Sequence, residues 1–257
     1  MMDLQLVMRF IFSPLIAFLV TFYIVPLCGV MAKRLAIVDI PDGRIKTHRQ
    51  AVPYLGGVAI YIGFITSLAI VLPFNNLFLP FLLGATILLF LGFIDDILII
   101  RPYQKAVGQL IAALCFFKAG IHLRESFFIK SSWTIPLSLF WIILVTNAFN
   151  LIDVMDGLAT SVAFWVSLSF TIIAILFNQY HIAFLLSALT GALAAFFWYN
   201  KPNAVIYLGD AGSLFLGGAF IGNTLSFSMG SLQSPWSYSS DNYSCYSTFR
   251  SWNACCH

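Results

Sequence analysis

The chain has 257 residues, of which 60% are hydrophobic and only 9% are charged. An ordinary soluble domain carries about 25% charged residues, so this chain cannot supply the polar skin of a soluble globule. With 13 Lys and Arg against 10 Asp and Glu, its net charge of +3 excludes a nucleic-acid binder working through a basic surface. The apolar content excludes a disordered chain and leaves an integral membrane protein.

A spanning helix needs about 20 apolar residues. The pattern predicts an all-α, polytopic membrane helix bundle of about eight transmembrane helices. They fall near residues 10–32, 55–72, 78–96, 105–121, 135–152, 158–177, 182–199 and 211–229. The first run, Phe10 to Met31, is longer than the apolar core of a signal peptide and has no small-residue cleavage site. After it comes the most basic stretch, residues 39–50, with turn residues Pro41 and Gly43. Its Arg44, Lys46, His48 and Arg49 serve either to neutralise a diphosphate or to fix orientation against anionic lipid.

No charge interrupts residues 50–94, which break at Pro73-Phe74-Asn75-Asn76 into the second and third spans. The third ends in Gly92-Phe93-Ile94-Asp95-Asp96, and Lys105 opens the fourth. Two adjacent anions at a span end are tolerable beside a divalent cation or a lysine. The fifth span ends with Asn147, Asn150, Asp153 and Asp156 at every third position, followed by Gly157. A tightened final turn would align that row along one cavity wall, with Gly157 ending the helix. Residues 157–200 are again free of Asp, Glu, Lys and Arg and break at Asn178-Gln179-Tyr180-His181. Tyr207-Leu208-Gly209-Asp210-Ala211-Gly212-Ser213 is a small-residue turn opening the eighth span. Such a turn lets backbone approach a phosphate, with Asp210 placed either to hold a divalent ion or to cap its own helix.

Eight spans put Lys33, Arg34, Arg44, Lys46, Arg49, Arg101, Lys105 and Lys201 on one side. Lys118, Arg124 and Lys130 fall on the other, so the first side is expected to be cytoplasmic and the N-terminus outside. Asp39, Asp42, Asp95, Asp96, Asp153, Asp156 and Asp210 share that cytoplasmic side. Ionisable groups at span ends are costly and mark function. Asp-rich, Asn-lined surroundings with a lysine and a glycine turn suit Mg2+ and a phosphate-bearing substrate, one of them a lipid.

Four stretches together resemble the polyprenyl-phosphate N-acetylhexosamine-1-phosphate transferases. They are Gly92–Asp96 with Lys105 and Gln109, Asn147 through Ala159, Asn200-Lys-Pro-Asn-Ala204, and Gly209-Asp-Ala-Gly-Ser213. The resemblance covers residues 10–229. It implies a Mg2+-dependent (or Mn2+-dependent) enzyme of the bacterial inner membrane, with its site facing the cytoplasm. Such an enzyme moves N-acetylglucosamine 1-phosphate from UDP-GlcNAc to undecaprenyl phosphate and releases UMP, so starting a lipid-linked glycan such as O-antigen or a teichoic acid linkage. It further implies Asp95, Asp96 and Lys105 as catalytic residues, and Asp210 with Asp96 as metal ligands. Asn147, Asn150, Asp153, Asp156 and Asn200 are implied as substrate-binding residues, and the basic loop adds Arg44 and Lys46 as substrate-binding candidates; a homodimer is a further expectation. The stretch Ala51-Val-Pro-Tyr-Leu-Gly-Gly57 looks more like the GlcNAc-1-phosphate enzymes than the phospho-MurNAc-pentapeptide translocases.

The chain departs from that family after residue 230. Residues 231–257 hold eight Ser, three Cys and two Trp and no apolar span. The ending Cys255-Cys256-His257 lacks metal-ligand spacing. The expectation is a transferase domain over 1–230, incomplete relative to the family, and an aberrant tail over 231–257. A frameshift or truncation near residue 230 would produce it, as the other reading frames of the coding DNA would reveal. Three readings follow: an active sugar-phosphate transferase, an inactive remnant of one, or a cation transporter using intramembrane Asp.

Overall fold

The computed structural model describes residues 4–39, 51–71, 78–98, 100–123 and 131–228. Eight α-helices carry this part of the chain: α1 (Leu4–Arg34), α2 (Gly56–Val71), α3 (Phe78–Leu98), α4 (Pro102–Lys118), α5 (Ser131–Ile152), α6 (Leu158–Leu176), α7 (Tyr180–Asn200) and α8 (Gly209–Ser228). Each apolar segment expected from the sequence is a helix. Five of them, α1, α3, α5, α6 and α7, are long and apolar enough to cross a membrane on their own. Helix α2 is apolar but shorter, at 16 residues. Arg44, Lys46, Asp42 and His48 fall outside the described residues, as does the tail 231–257.

The outer helices turn apolar side chains outward. Leu19, Leu27, Leu83, Phe90, Leu114, Phe140 and Trp165 are all exposed, as lipid-facing residues should be. Helices α7 and α8 behave differently and form the interior. Residues 182–189 of α7 and 211–221 of α8 are continuously buried. Helix α8 packs against α2, α3, α5 and α6, while α7 packs against α1, α2 and α6.

Burial between helices in lipid gains no hydrophobic driving force, so close backbone approach must supply the packing. Glycines provide it. A Cβ at Gly92 of α3 would collide with the backbone of Asp210 and Ala211. Gly57 of α2 meets the backbone of Gly212 in the same way. Further down α8, a Cβ at Gly217 would lie 2.6 Å from Thr146 Cα of α5.

A short antiparallel ribbon follows α1. Its strands β1 (Val38–Asp39) and β2 (Val52–Pro53) pair Val38 with Pro53 and Asp39 with Val52. The chain then runs alongside the segment before α8. Tyr207 N–H donates to Pro53 O (2.9 Å), Gly56 N–H to Tyr207 O (3.0 Å), and Gly57 N–H to Leu208 O (2.9 Å). The start of α2 is thereby fastened to the start of α8.

Gly92→Val is therefore expected to push α3 off α8 and destabilise the protein by about 1–3 kcal/mol, the usual range for overpacking. Thermal unfolding in detergent measures this, and an unchanged midpoint would refute the close-packing account.

Candidate active site

Helices α3, α4, α5 and α8 bring their ends together at one end of the bundle. Helix α3 runs to Leu98, and beyond it the Ile100 N–H donates to Asp95 Oδ1 at 2.9 Å. Helix α4 then starts at Pro102, whose missing N–H and fixed φ suit a first helical position. Gln104 Oε1 accepts the Arg101 N–H at 3.0 Å and closes that start.

The first turn of α4 delivers Lys105 into the site. Its ammonium donates to Asp95 Oδ2 at 2.8 Å and to Asp210 Oδ2 at 2.7 Å. Asn150 Oδ1 from α5 lies 3.5 Å away. The lysine and Asp95 side chains are only 14% and 12% exposed, whereas Asp210 is 34% exposed. Asp210 therefore has the open face. Its other oxygen, Oδ1, accepts from Asn150 Nδ2 at 2.7 Å, and the same amide nitrogen lies 3.1 Å from Ser213 Oγ.

Asp96 is oriented differently from its neighbour. Its Oδ1 accepts the Asp210 N–H at 2.8 Å and its Oδ2 the Ala211 N–H at 3.1 Å. These are two of the amides that an α-helix leaves without internal partners. Asp96 thus caps α8 from another helix, and Gly209, at φ 74°, makes the sharp entry. Of the two roles the sequence left open for Asp210, ion holder or cap of its own helix, the capping is done by Asp96.

The fifth-helix row divides. Asn147 and Asn150 lie within α5, but the helix stops at Ile152, so Asp153 and Asp156 stand in the following turn. Gly157, at φ 73°, opens α6 rather than closing α5. Asp156 Oδ2 accepts the Ala204 N–H at 3.1 Å and so ties the α7–α8 connection to this turn. Burial, with the nearby charges of Asp210, Asp96 and Asp156, pushes the Asp153 carboxyl up to about 7. Asn200 is 2% exposed and fully engaged. Its Oδ1 accepts from Thr160 (2.7 Å) and its Nδ2 donates to Ile206 O (3.0 Å).

The structure therefore brings Asp95, Asp96, Lys105, Asn150 and Asp210 into direct contact, with Asp153 close by. Asn200 and Asp156 brace the surrounding connections, and Asn147 points one turn deeper. Sequence reasoning passed over Tyr54 and Tyr207. Their rings lie 5.8 Å apart at the rim. The Tyr54 phenol is held well above its usual range by burial and a hydrogen bond to the buried Asp39. The flanking glycine turn was the available signal for Tyr207.

Among the described residues, no three acidic, His or Cys side chains gather as a metal cluster. The donor set still fits a magnesium-like ion. Such ions take one or two carboxylates and complete their shell with water and substrate phosphate. Asp95 and Asp210 already converge on one cation, the lysine ammonium.

The glycosyl transferase family 4 model matches residues 78–228, the stretch that holds α3 through α8. The chain belongs to that family. It is 30% identical to the Bacillus subtilis (strain 168) protein named "probable undecaprenyl-phosphate N-acetylglucosaminyl 1-phosphate transferase", over 84% of this chain and 62% of the relative. It is 32% identical to the phospho-N-acetylmuramoyl-pentapeptide-transferase of Bacillus mycoides (strain KBAB4), over 79% of this chain and 71% of the relative. The chain thus spans under two thirds of the first of these proteins.

The raised Asp153 carboxyl has a consequence for stability. An unfolded Asp titrates at 3.8 and the folded one at about 7, so the folded state binds more protons between those values. Its contribution is complete below the lower value and fades as pH rises through the upper one. In chelator-treated protein, Asp153→Asn is expected to flatten the fall in melting temperature between these pH values. A wild-type and variant difference independent of pH would contradict the assignment.

Proposed function

We propose that this chain transfers N-acetylglucosamine 1-phosphate from UDP-GlcNAc to undecaprenyl phosphate, releasing UMP, at the cytoplasmic face of a bacterial inner membrane. The observation that carries the proposal is the convergence of Lys105, Asp95 and Asp210 from three helices at one end of a membrane bundle. The two named relatives support the class of reaction. We read all eight helices as spans, with the basic connections on the cytoplasmic side.

In this reading an oxygen of the lipid phosphate attacks the sugar-side phosphorus of the diphosphate. The bond from that phosphorus to the bridging oxygen breaks, and UMP leaves with the electron pair. Asp95 orients the attacking phosphate and takes up its proton where one is present. Lys105 supplies positive charge where the transition state gathers negative charge, in surroundings that are dry and preorganised. Asp210, with Asp96, would hold a divalent cation, Mg2+ or Mn2+, which would supply charge neutralisation at the diphosphate. Asp96 also holds the start of α8, and each of its oxygens keeps a further lone pair. Asn150 and Asp153 lie beside the Lys105–Asp210 cluster and would offer hydrogen bonds to the nucleotide sugar. The preference for GlcNAc over MurNAc-pentapeptide rests on Ala51 through Gly57, because the two relatives are similarly close in identity.

Carboxylates gathered at one end, rather than strung across the bundle, disfavour a cation transporter. Membranes holding this chain, supplied with tritiated UDP-GlcNAc and undecaprenyl phosphate, are expected to form labelled lipid only with a divalent cation. Asp95→Asn and Asp210→Asn are each expected to lower the rate by about 10²-fold or more. No labelled lipid from well-folded protein would reject the reading in favour of an inactive remnant. Label taken only from UDP-MurNAc-pentapeptide would reject the choice of sugar.

A further inference from the structure

One turn below Lys105 on the same face of α4 sits Gln109, and it is 1% exposed. An amide at that depth is costly unless both its halves are paired. Here both are. Gln109 Nε2 donates to Thr146 Oγ1 at 3.1 Å, and Gln109 Oε1 accepts from Asn147 Nδ2 at 3.3 Å. The Thr146 hydroxyl turns its own hydrogen to Ile142 O at 2.8 Å, and Asn147 Nδ2 also donates to Ile143 O at 2.7 Å. Every partner lies on α5.

Thr146 does a second job. Its Cα is the surface against which Gly217 of α8 packs. Helix α8 carries Asp210, α5 registers against α8 through Thr146, and α4 registers against α5 through the same threonine. The ring closes where Lys105 of α4 reaches Asp210 of α8. The lysine is thus set by a chain of contacts running down one helix pair and back up another. The third helix face is fitted as tightly, since a Cβ at Gly108 would lie 2.6 Å from Leu91 of α3. Helix α4 therefore has little freedom to rotate, and its buried polar registration to α5 is the Gln109 amide.

We propose that Gln109 and Asn147 form a positioning clasp that fixes the rotation of α4 and so places Lys105 between Asp95 and Asp210. Asn147 acts on the reaction through this clasp and does not touch the nucleotide sugar. The kinetic part of this inference rests on the proposed transferase reading; the geometric part does not.

Two measurements separate them. The first is modification of Lys105 by a small amine-reactive acylating reagent, read by mass spectrometry in the full-length protein. Held between two carboxylates, Lys105 is protected; in Gln109→Met or Asn147→Leu its modification is expected to rise about fivefold or more as the helix rotates free. The exposed Lys201 serves as the internal control and is expected to stay unchanged. Equal modification of Lys105 in wild type and variants overturns the clasp. So does loss of the wild-type melting transition in both variants, which would assign the rise at Lys105 to general unfolding.

The second measurement is steady-state kinetics. Each single variant is expected to lose about tenfold or more in kcat, a cost in line with small misplacement of a reacting group. KM for the donor is expected to hold within about twofold, the sign of an interaction that acts only in the transition state. The Gln109→Met/Asn147→Leu double variant is expected to be no worse than either single variant, because both remove one clasp. Gln109→Asn/Asn147→Gln, which swaps the amide lengths, is expected to regain part of the rate. A donor KM raised in Asn147→Leu, with losses that multiply in the double variant, would make Asn147 a substrate ligand and overturn the proposal. A wild-type chain that turns over no substrate rejects the transferase reading, and the labelling result then decides the clasp on its own.

Discussion

The site is organised around one ammonium group shared by two carboxylates in a poorly hydrated place. Each carboxylate at the end of an apolar helix would prefer water or a counter-charge. Lys105 meets both at once, at 2.8 Å and 2.7 Å. Because Asp95 belongs to α3 and Asp210 to α8, this pairing also fixes how three helix ends must meet. Two such pairs in a buried setting are weak evidence of net stabilisation, since desolvation offsets much of the attraction. In the proposed reading they are the arrangement from which phosphate chemistry starts, since the same charges could be redistributed onto a diphosphate without rebuilding the bundle.

That arrangement depends on the first turn of α8 being held in place. Three devices hold its first turn. Asp96 accepts both leading amides, Gly92 lets α3 approach to backbone contact, and the Pro53–Gly57 segment hydrogen-bonds the residues just before it. A side-chain cap contributes about 1 kcal/mol, so the cap alone does not explain the precision of the site; the glycine contacts supply the rest by leaving α8 no alternative position. The adjacent acids Asp95 and Asp96 consequently do different work. One faces the lysine, while the other faces the backbone and holds the helix that presents Asp210.

Much of this was legible in the residues. All eight helices follow from apolar run length and scarcity of charge, and the polar break expected at 178–181 falls at the α6–α7 junction, where α7 already begins at Tyr180. The gathering of acids at one end follows from alternating direction once the runs are counted. The pairing of Lys105 with Asp95 could be anticipated, since they are ten residues apart across a helix turn. What sequence could not show was division of labour between like residues. Asp95 and Asp96 are adjacent and chemically identical, and only the approach of α8 through Gly92 gives one of them two backbone donors. Asn147 and Asn150 belong to one periodic row, yet α4 lies beside the first and α8 beside the second. The row itself did not run on as a helix, because Gly157 begins a new one and the turn before it lets Asp156 reach the Ala204 amide. Gln109 was visible as part of a motif, but its role depends on burial, which a hydropathy pattern cannot assign to a single amide.

The central claim is that Lys105 compensates Asp95 and Asp210, and a thermal-unfolding cycle tests it most directly because it needs no turnover. Lys105→Met leaves two carboxylates close together without their cation and is expected to destabilise strongly, by about 3–5 kcal/mol for a broken buried pair. Adding Asp210→Asn to Lys105→Met removes one of the stranded charges, so the double variant is predicted to melt higher than Lys105→Met alone. A double variant that melts lower, by the sum of the two single losses, would show that the lysine and the aspartate act independently and would contradict the account.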